Sequence, residues 1–330
     1  MNTTNRTQMG SFCSGETFCQ GCGAPLAALY IITGILCMIG NGLVLAAIYH
    51  TPHLHRISNY FMASLAAADL SVGLLVSPLW AAKSLIAAYN NEHPLTIISA
   101  YMTMQTATTT TFNLCAVSID RYVAITKPFE YNRIISLSRC RGIIAFIWVA
   151  SFVLPIPRPL VTDPAVLPAV WMTGSTVVII LPLVVIFYCY YHIVRIARQQ
   201  AKRIGQAHRE TNRVAVTRRG NTKAAWTVAI IIGVFLLTWS PSLVLSTRLS
   251  AVKDPCQRDR LTKVWFWTVL LAFSSSAINP LIYTARSYEY RRAFRGILGL
   301  TETTPLGEND MSMSWATRKA NSQSFTEIIP

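Results

Sequence analysis

Seven long apolar runs, separated by short polar stretches, set the pattern of the chain. They cover roughly Ala24–Tyr49, Asn59–Ala82, Leu95–Ile125, Ile143–Pro157, Ala165–Ile193, Ala224–Thr247 and Val264–Ala285. A helix needs ~20 residues to cross a bilayer, and the runs lie near that length. The fourth is the shortest, and its proline-rich end blurs its outer limit. Backbone groups in lipid must be satisfied internally, so these runs are expected to be helices rather than open strands. A different pattern follows the seventh run. Over Ser287–Leu298, Tyr290, Phe294, Ile297 and Leu298 share a helical face opposite Arg291, Arg292 and Arg295, which suits a short helix on the membrane surface. The predicted fold is therefore an all-α membrane protein: a seven-transmembrane helix bundle with an amphipathic helix after the last span.

Three regions are expected: an external segment over 1–23, the bundle with its surface helix over 24–298, and a polar, Ser/Thr-rich tail over 299–330. The tail has the composition of a disordered segment. No internal repeat is visible, which argues against a transporter built from repeated halves. Charged residues make up 13% of the 330 residues and hydrophobic ones 52%, too sparsely charged for an ordinary soluble domain.

Charge then orients the bundle. The formal net charge is +15, but its distribution argues against nucleic acid. Of 29 Lys and Arg, 21 fall in the loops joining spans 1–2, 3–4 and 5–6 or in the tail, and 8 fall on the opposite side. The positive-inside rule then places the N-terminus outside and the C-terminus in the cytoplasm of a multi-pass membrane protein. Met1–Gly10 lacks an apolar signal core, so the first span is expected to direct insertion. Asn2-Thr3-Thr4 and Asn5-Arg6-Thr7 are glycosylation sequons on the side assigned to the exterior. The loop Arg195–Lys223 carries nine Lys/Arg against Glu210 alone, and its first part reads as a helical extension of span five.

The eight cysteines divide the same way. Cys37, Cys115, Cys140 and Cys189 lie in or beside spans and read as reduced packing residues. Cys13, Cys19, Cys22 and Cys256 are external, where disulfides persist. Four cysteines allow three pairings; a bond from the N-terminal segment to Cys256 is favoured because it pins that segment over the loop between spans six and seven.

Polar and helix-bending residues recur inside the spans. Span one holds Asn41, span two Asp69, span four Trp148, and span five Pro182 with Tyr190 two turns on. Span six holds Phe235 and Thr238-Trp239-Ser240-Pro241, and span seven Asn279-Pro280-Leu281-Ile282-Tyr283. Asp120-Arg121-Tyr122 closes a 25-residue stretch, Leu95 to Ile119, that has no charged residue. Ionisable groups at such depths are costly unless hydrated, paired or used. Asp69, the acid within the interior of a span, needs a partner, water or a cation; Asn41, Thr110, Ser275, Ser276 and Asn279 can surround it. A protonated Asp69 in a static polar network is the alternative. Each proline removes a backbone hydrogen bond and kinks its helix, giving a hinge or a fixed bend.

In this order the set resembles the rhodopsin-like (class A) G-protein-coupled receptors over about residues 24–298. The resemblance implies an extracellular ligand and a heterotrimeric G protein as partners, with arrestin and a receptor kinase acting on the tail. It implies a switch of Asp120, Arg121, Tyr122, Tyr190, Asn279, Pro280 and Tyr283. It implies a sodium ion and water at Asp69, Asn41, Thr110, Ser275, Ser276 and Asn279, and a relay of Thr111, Pro182 and Phe235 below Trp239. The ligand pocket is expected at Trp80, Thr103, Met104, Trp239, Ser242 and Phe266. Taken alone, Trp239 and Phe235 also read as core, and Arg121 as a positive-inside anchor.

Four departures narrow the resemblance. The family's usual disulfide between helix three and the second outer loop is missing, since Arg158–Val170 has no cysteine; similar losses occur in the melanocortin, cannabinoid and lysophospholipid group. Thr103 stands where amine receptors carry an aspartate. Phe273 stands where visual pigments carry the retinal lysine. Arg218–Lys223 has no acid to hold Arg121 from helix six, which leaves the switch to Asp120 and predicts raised ligand-free signalling. Lys83, Arg158, Arg248, Lys253, Arg258, Arg260 and Lys263 form a cationic outer rim. A cationic rim attracts anions, so an anionic or neutral lipid-like ligand is favoured, with peptide and amine ligands as alternatives and solvated loop charges as the plain reading. A transporter or channel is a more distant reading. The spans hold no paired carboxylates, metal-ligand cluster or activated nucleophile, so no enzyme is expected.

Overall fold

The computed structural model describes residues 23–86, 93–161, 163, 165–204 and 212–300, with the side chains of 200–222 outside the description. The sequons Asn2 and Asn5, the cysteines Cys13, Cys19 and Cys22, and the tail from Thr301 lie outside it. Helix α1 is Gly23–His50, α2 is Ile57–Leu85 and α3 is Pro94–Thr126. Helix α4 is Leu137–Val153, followed by a further turn at Pro157–Leu160. Helix α5 joins Leu167–Ser175, a π-helical turn Thr176–Ile180, and Leu181–Ile204. Helix α6 is Asn212–Ala251, α7 is Pro255–Arg286 and α8 is Tyr288–Ile297.

Six of these helices are long and apolar enough to cross a membrane. The seventh, α3, has the length but is diluted by threonines, because it runs through the middle of the bundle. It packs against α2, α4, α5 and α6, whereas α1 touches α2, α7 and the surface helix that follows α7. The outward faces carry bare apolar side chains such as Leu237, 74% exposed, and Phe146, 66% exposed. Those faces suit lipid, which is as apolar as they are.

Helix ends shift from the sequence reading for local reasons. Ser136 accepts a hydrogen bond from the Arg139 amide, so α4 starts at Leu137 rather than near Ile143. Asp254 caps α7 through the Cys256 and Gln257 amides, so α7 starts well before Val264. Side-chain caps satisfy the first helical amides and fix where a helix can begin. The expected extension of α5 past Arg195 is present.

Two π-helical turns, Val72–Val76 in α2 and Thr176–Ile180 in α5, each lie just before a proline, Pro78 and Pro182. A proline has no amide hydrogen and crowds the carbonyl four residues back, so the ladder widens there. At Gly73 the backbone of α2 also closes on α1. A Cβ on Gly73 would sit 2.5 Å from the Gly34 carbonyl oxygen, so this contact needs glycine.

The surface helix forms as expected. Ser287 caps it at the Tyr290 amide, and Tyr290, Ala293 and Phe294 are buried. Arg291 caps the end of α7 by donating to the Thr284 carbonyl at 2.9 Å and the Ala285 carbonyl at 3.1 Å.

Candidate functional site: an inner switch, a polar midplane and an outer cavity

The end of the bundle bearing Asp120–Tyr122 is called inner, after the charge asymmetry. Arg121 is 9% exposed and turned into the protein. Its guanidinium pairs with the Asp120 carboxylate and donates to the Ser58 hydroxyl on α2. The other Asp120 oxygen accepts from the Tyr131 hydroxyl at 2.6 Å. Tyr131 sits in a single helical turn between α3 and α4; burial, and then the Asp120 charge, push its phenol up to about 12. The expectation that Asp120 alone restrains Arg121 is thus corrected, because Ser58 holds the guanidinium from α2 and Tyr131 fixes the carboxylate. Tyr122 points elsewhere, toward Tyr188 and His192 on α5. Tyr190 donates to the Ala225 carbonyl of α6 at 3.0 Å. Tyr283 is buried and stacks on Tyr290 with ring centres 5.6 Å apart; neither hydroxyl has a partner among the described residues.

The midplane holds a second buried network. Asn279 donates to Asp69 at 2.7 Å, while the other Asp69 oxygen has no hydrogen-bond partner among the described residues. Asn41 donates to the Cys37 and Ser276 carbonyls, both at 3.0 Å, and its own oxygen is also unpartnered. Ser275 and Ser276 are buried nearby, with the Ser275 hydroxyl returned to the Ala272 carbonyl. Thr106, Thr108, Thr109 and Thr111 return their hydroxyls to α3 carbonyls. Thr110, 5% exposed, makes no hydrogen bond among the described residues.

The prolines explain two of these contacts. Pro280 cannot donate to the Ser276 carbonyl and Pro182 cannot donate to the Val178 carbonyl. Asn41 takes up the first. Thr111 reaches the second at 2.8 Å, and the same hydroxyl lies 2.8 Å from its own Ala107 carbonyl. One hydroxyl proton serves one carbonyl at a time, so Thr111 has two near-equivalent bonds, one tying α3 to α5. Phe235 stacks on Trp239 with ring centres 5.4 Å apart.

Toward the outer end a cavity of about 1060 Å³ opens among α2, α3, α5, α6, α7 and the segment after α4. Met104, Trp171, Val178, Leu249, Trp265 and Phe266 give it an apolar wall; Lys83, Arg158 and Arg258 give it cations. No Asp or Glu lines it among the described residues. Asp163 accepts from the Ala165 amide, Asp254 caps α7, and Asp259 pairs with Lys263 at 2.7 Å.

The chain matches the family model described as "7 transmembrane receptor (rhodopsin family)" over residues 40–283. It belongs to the rhodopsin family of seven-transmembrane receptors. It is similar to the adenosine receptor A2a of Canis lupus familiaris, 29% identical over 292 residues, covering 80% of this chain and 69% of that one. It is 29% identical over 286 residues to the histamine H2 receptor of Rattus norvegicus, covering 82% of this chain and 77% of that one. It is 30% identical over 310 residues to a D(1)-like dopamine receptor of Oreochromis mossambicus, covering 84% and 78%.

Within this rhodopsin-family receptor, the structure ties Asn279 to Asp69 and Asn41 to the Ser276 carbonyl, and brings Thr111 of α3 to the Val178 carbonyl of α5. Of the expected pocket residues, Met104 and Phe266 line the cavity. Trp80 is 1% exposed and donates to Thr103 at 2.9 Å behind that wall. Trp239 packs on Phe235 below, and Ser242 is buried in α6. Cys256 is disulfide-bonded; the described cysteines Cys37, Cys115, Cys140 and Cys189 are free, so its partner lies outside the described residues. Sequence reading missed the roles of Ser58, Tyr131 and Pro78. For Pro78 the signal was visible, a proline inside an apolar run. For Ser58 and Tyr131 none was, since both act by proximity in the fold.

Proposed function

We propose that this receptor binds an extracellular small molecule in the outer cavity and converts that binding into activation of a heterotrimeric G protein at the inner end. The ligand favoured is anionic, or neutral and lipid-like. One observation carries this ligand class: the cavity wall holds the cations Lys83 and Arg258 and, among the described residues, no carboxylate. An amine would meet like charge there, with no carboxylate partner in the wall among the described residues. The similarity to adenosine, histamine and dopamine receptors favours other readings, a neutral nucleoside or an amine; the aromatic wall at Trp265 and Phe266 suits the nucleoside.

In the proposed resting state Arg121 is held inward by Asp120 and Ser58. Agonist binding favours a state in which α6 moves and Arg121 is released to the G protein. The ligand needs a higher affinity for that state, and no more than this. The receptor is proposed to lie in the plasma membrane with its N-terminus outside and its tail in the cytoplasm. There, Ser312, Ser314, Thr317, Ser322 and Ser324 become targets of a receptor kinase and arrestin contacts.

A sodium ion is proposed at Asp69. The fit is good: buried oxygens of Asp69 and Asn41 have no partner among the described residues, and Thr110 has a spare hydroxyl. Asp69, Asn41 and Thr110 would hold the ion, which supplies positive charge to offset a carboxylate in the membrane. Exchanging sodium for choline should change ligand-free signalling in the wild type and not in Asp69→Asn.

The coupling is tested by Arg121→Ala, measuring second messenger and surface staining in the same cells. Coupling should vanish with surface level retained. Undiminished signalling would refute the reading.

A further inference from the structure

Lys83 is 3% exposed, yet forms no hydrogen bond or ion pair among the described residues. Its ammonium lies 4.4 Å from the Trp80 ring centre, 5.1 Å from that of Phe266 and 5.6 Å from that of Trp265. Such contacts hold a cation in place and stabilise it modestly. Taking an ammonium out of water costs more than they return. The rings therefore orient Lys83 and offset only part of that cost, and its N–H donors have no oxygen acceptor among the described residues. The group lies on the wall of the outer cavity, where the other charges, Arg158 and Arg258, have the same sign. The described acids of the outer loops do not line the cavity: Asp254 caps α7, Asp163 accepts from the Ala165 amide and Asp259 pairs with Lys263.

We propose that Lys83 is the anchor of an organic acid in this cavity. The ligand carboxylate accepts hydrogen bonds from the Lys83 ammonium, and its apolar body extends along Met104, Trp171 and Val178. Arg258 draws the anion in. The proposal rests on the reading of the cavity as the ligand site. It goes further in naming the ligand's charged group and the residue that selects it. Trp80 becomes a positioning residue, held by its bond to Thr103 and holding Lys83 in turn.

The test uses the full chain purified in detergent, with thermal unfolding as the first readout. Decanoate, phenylacetate and indole-3-acetate are compared with their primary amides, which keep the body and lose the charge. At least one acid should raise the midpoint, and its amide should not. In Lys83→Met and Lys83→Gln the acid should bind roughly tenfold to a hundredfold more weakly, the range for losing a charge-assisted bond. Lys83→Arg should stay close to wild type. Without ligand, Lys83→Met should unfold at the same temperature or higher, because it keeps the apolar stem and removes an uncompensated charge. A purely structural cage lysine predicts the reverse. Equal responses to acid and amide, no response to any acid, or an acid response that survives Lys83→Met overturns the proposal. Ligand-free coupling lost in Arg121→Ala is the separate control. If that coupling persists while acids bind through Lys83, the receptor mechanism fails and the anchor stands; the opposite result sinks the anchor alone.

Discussion

At the inner end Arg121 is 9% exposed and surrounded by groups that neutralise it: Asp120 in a direct pair, Ser58 accepting, and Tyr131 fixing the carboxylate. At the outer end Lys83 is buried more deeply, at 3% exposed, among three aromatic rings with no acid in reach among the described residues. Both are cations in a largely apolar bundle, where an unpaired charge is costly. The difference lies in what completes each one. Arg121 is complete within the chain, so a change of state has to break bonds it already has. Lys83 is incomplete within the described chain, so binding supplies what it lacks. A receiving end with a missing partner and a releasing end with a full set suit a molecule that passes binding energy from one side of a membrane to the other.

The largest effect that could break this contrast is loss of Arg121. If Arg121→Ala still signalled, the inner end would not be a switch. Next comes Lys83→Met, where an unchanged response to acids would make the outer cation a packing residue. Tyr131→Phe sharpens the comparison from the inner side. It removes one hydrogen bond to a charged group, about 1.5–3 kcal/mol, and helix six brings no acid to replace it. Ligand-free second-messenger levels, already expected above mock-transfected cells, should rise by roughly tenfold or more until the active state saturates. A fall would show that Tyr131 supports the active form. The smallest effect concerns pH. The Tyr131 phenol is raised to about 12, above an ordinary tyrosine near 10. Its contribution is fully present below about 10 and is lost as pH rises through about 12. Ligand-free signalling of Tyr131→Phe relative to wild type should therefore stay constant from about pH 6 to 9. A ratio that drifts across that window would assign the contact to another titrating group.

Much of the fold is legible in the amino-acid pattern. Apolar runs near the spanning length mark the helices, because lipid leaves the backbone few alternatives. Asp69, Arg121 and the prolines stand out because each is expensive where it lies. The pocket is less legible. Met104 and Phe266 do line the cavity, but Trp80 lies behind it and Lys83, read from sequence as one of several rim charges, lies in its wall. A helix rotated by one residue turns a side chain by about 100°, and no apolar pattern in a membrane helix fixes that angle, since both lipid and core accept leucine.

The chain's linear pattern dictates the number of spans, the charge asymmetry across the membrane, and the family-like set of polar residues within the bundle. It does so because hydropathy, charge and proline act locally along the chain. Packing in three dimensions chooses which carbonyls Asn41 and Thr111 take over from the prolines, lets Ser58 and Tyr131 share the restraint of Arg121, and cages Lys83 without an acid. Those arrangements depend on groups as far apart in sequence as Asn41 and Ser276, or Thr111 and Val178, meeting across helix interfaces. Contacts of that kind arise where helix faces meet, and composition and spacing do not encode them.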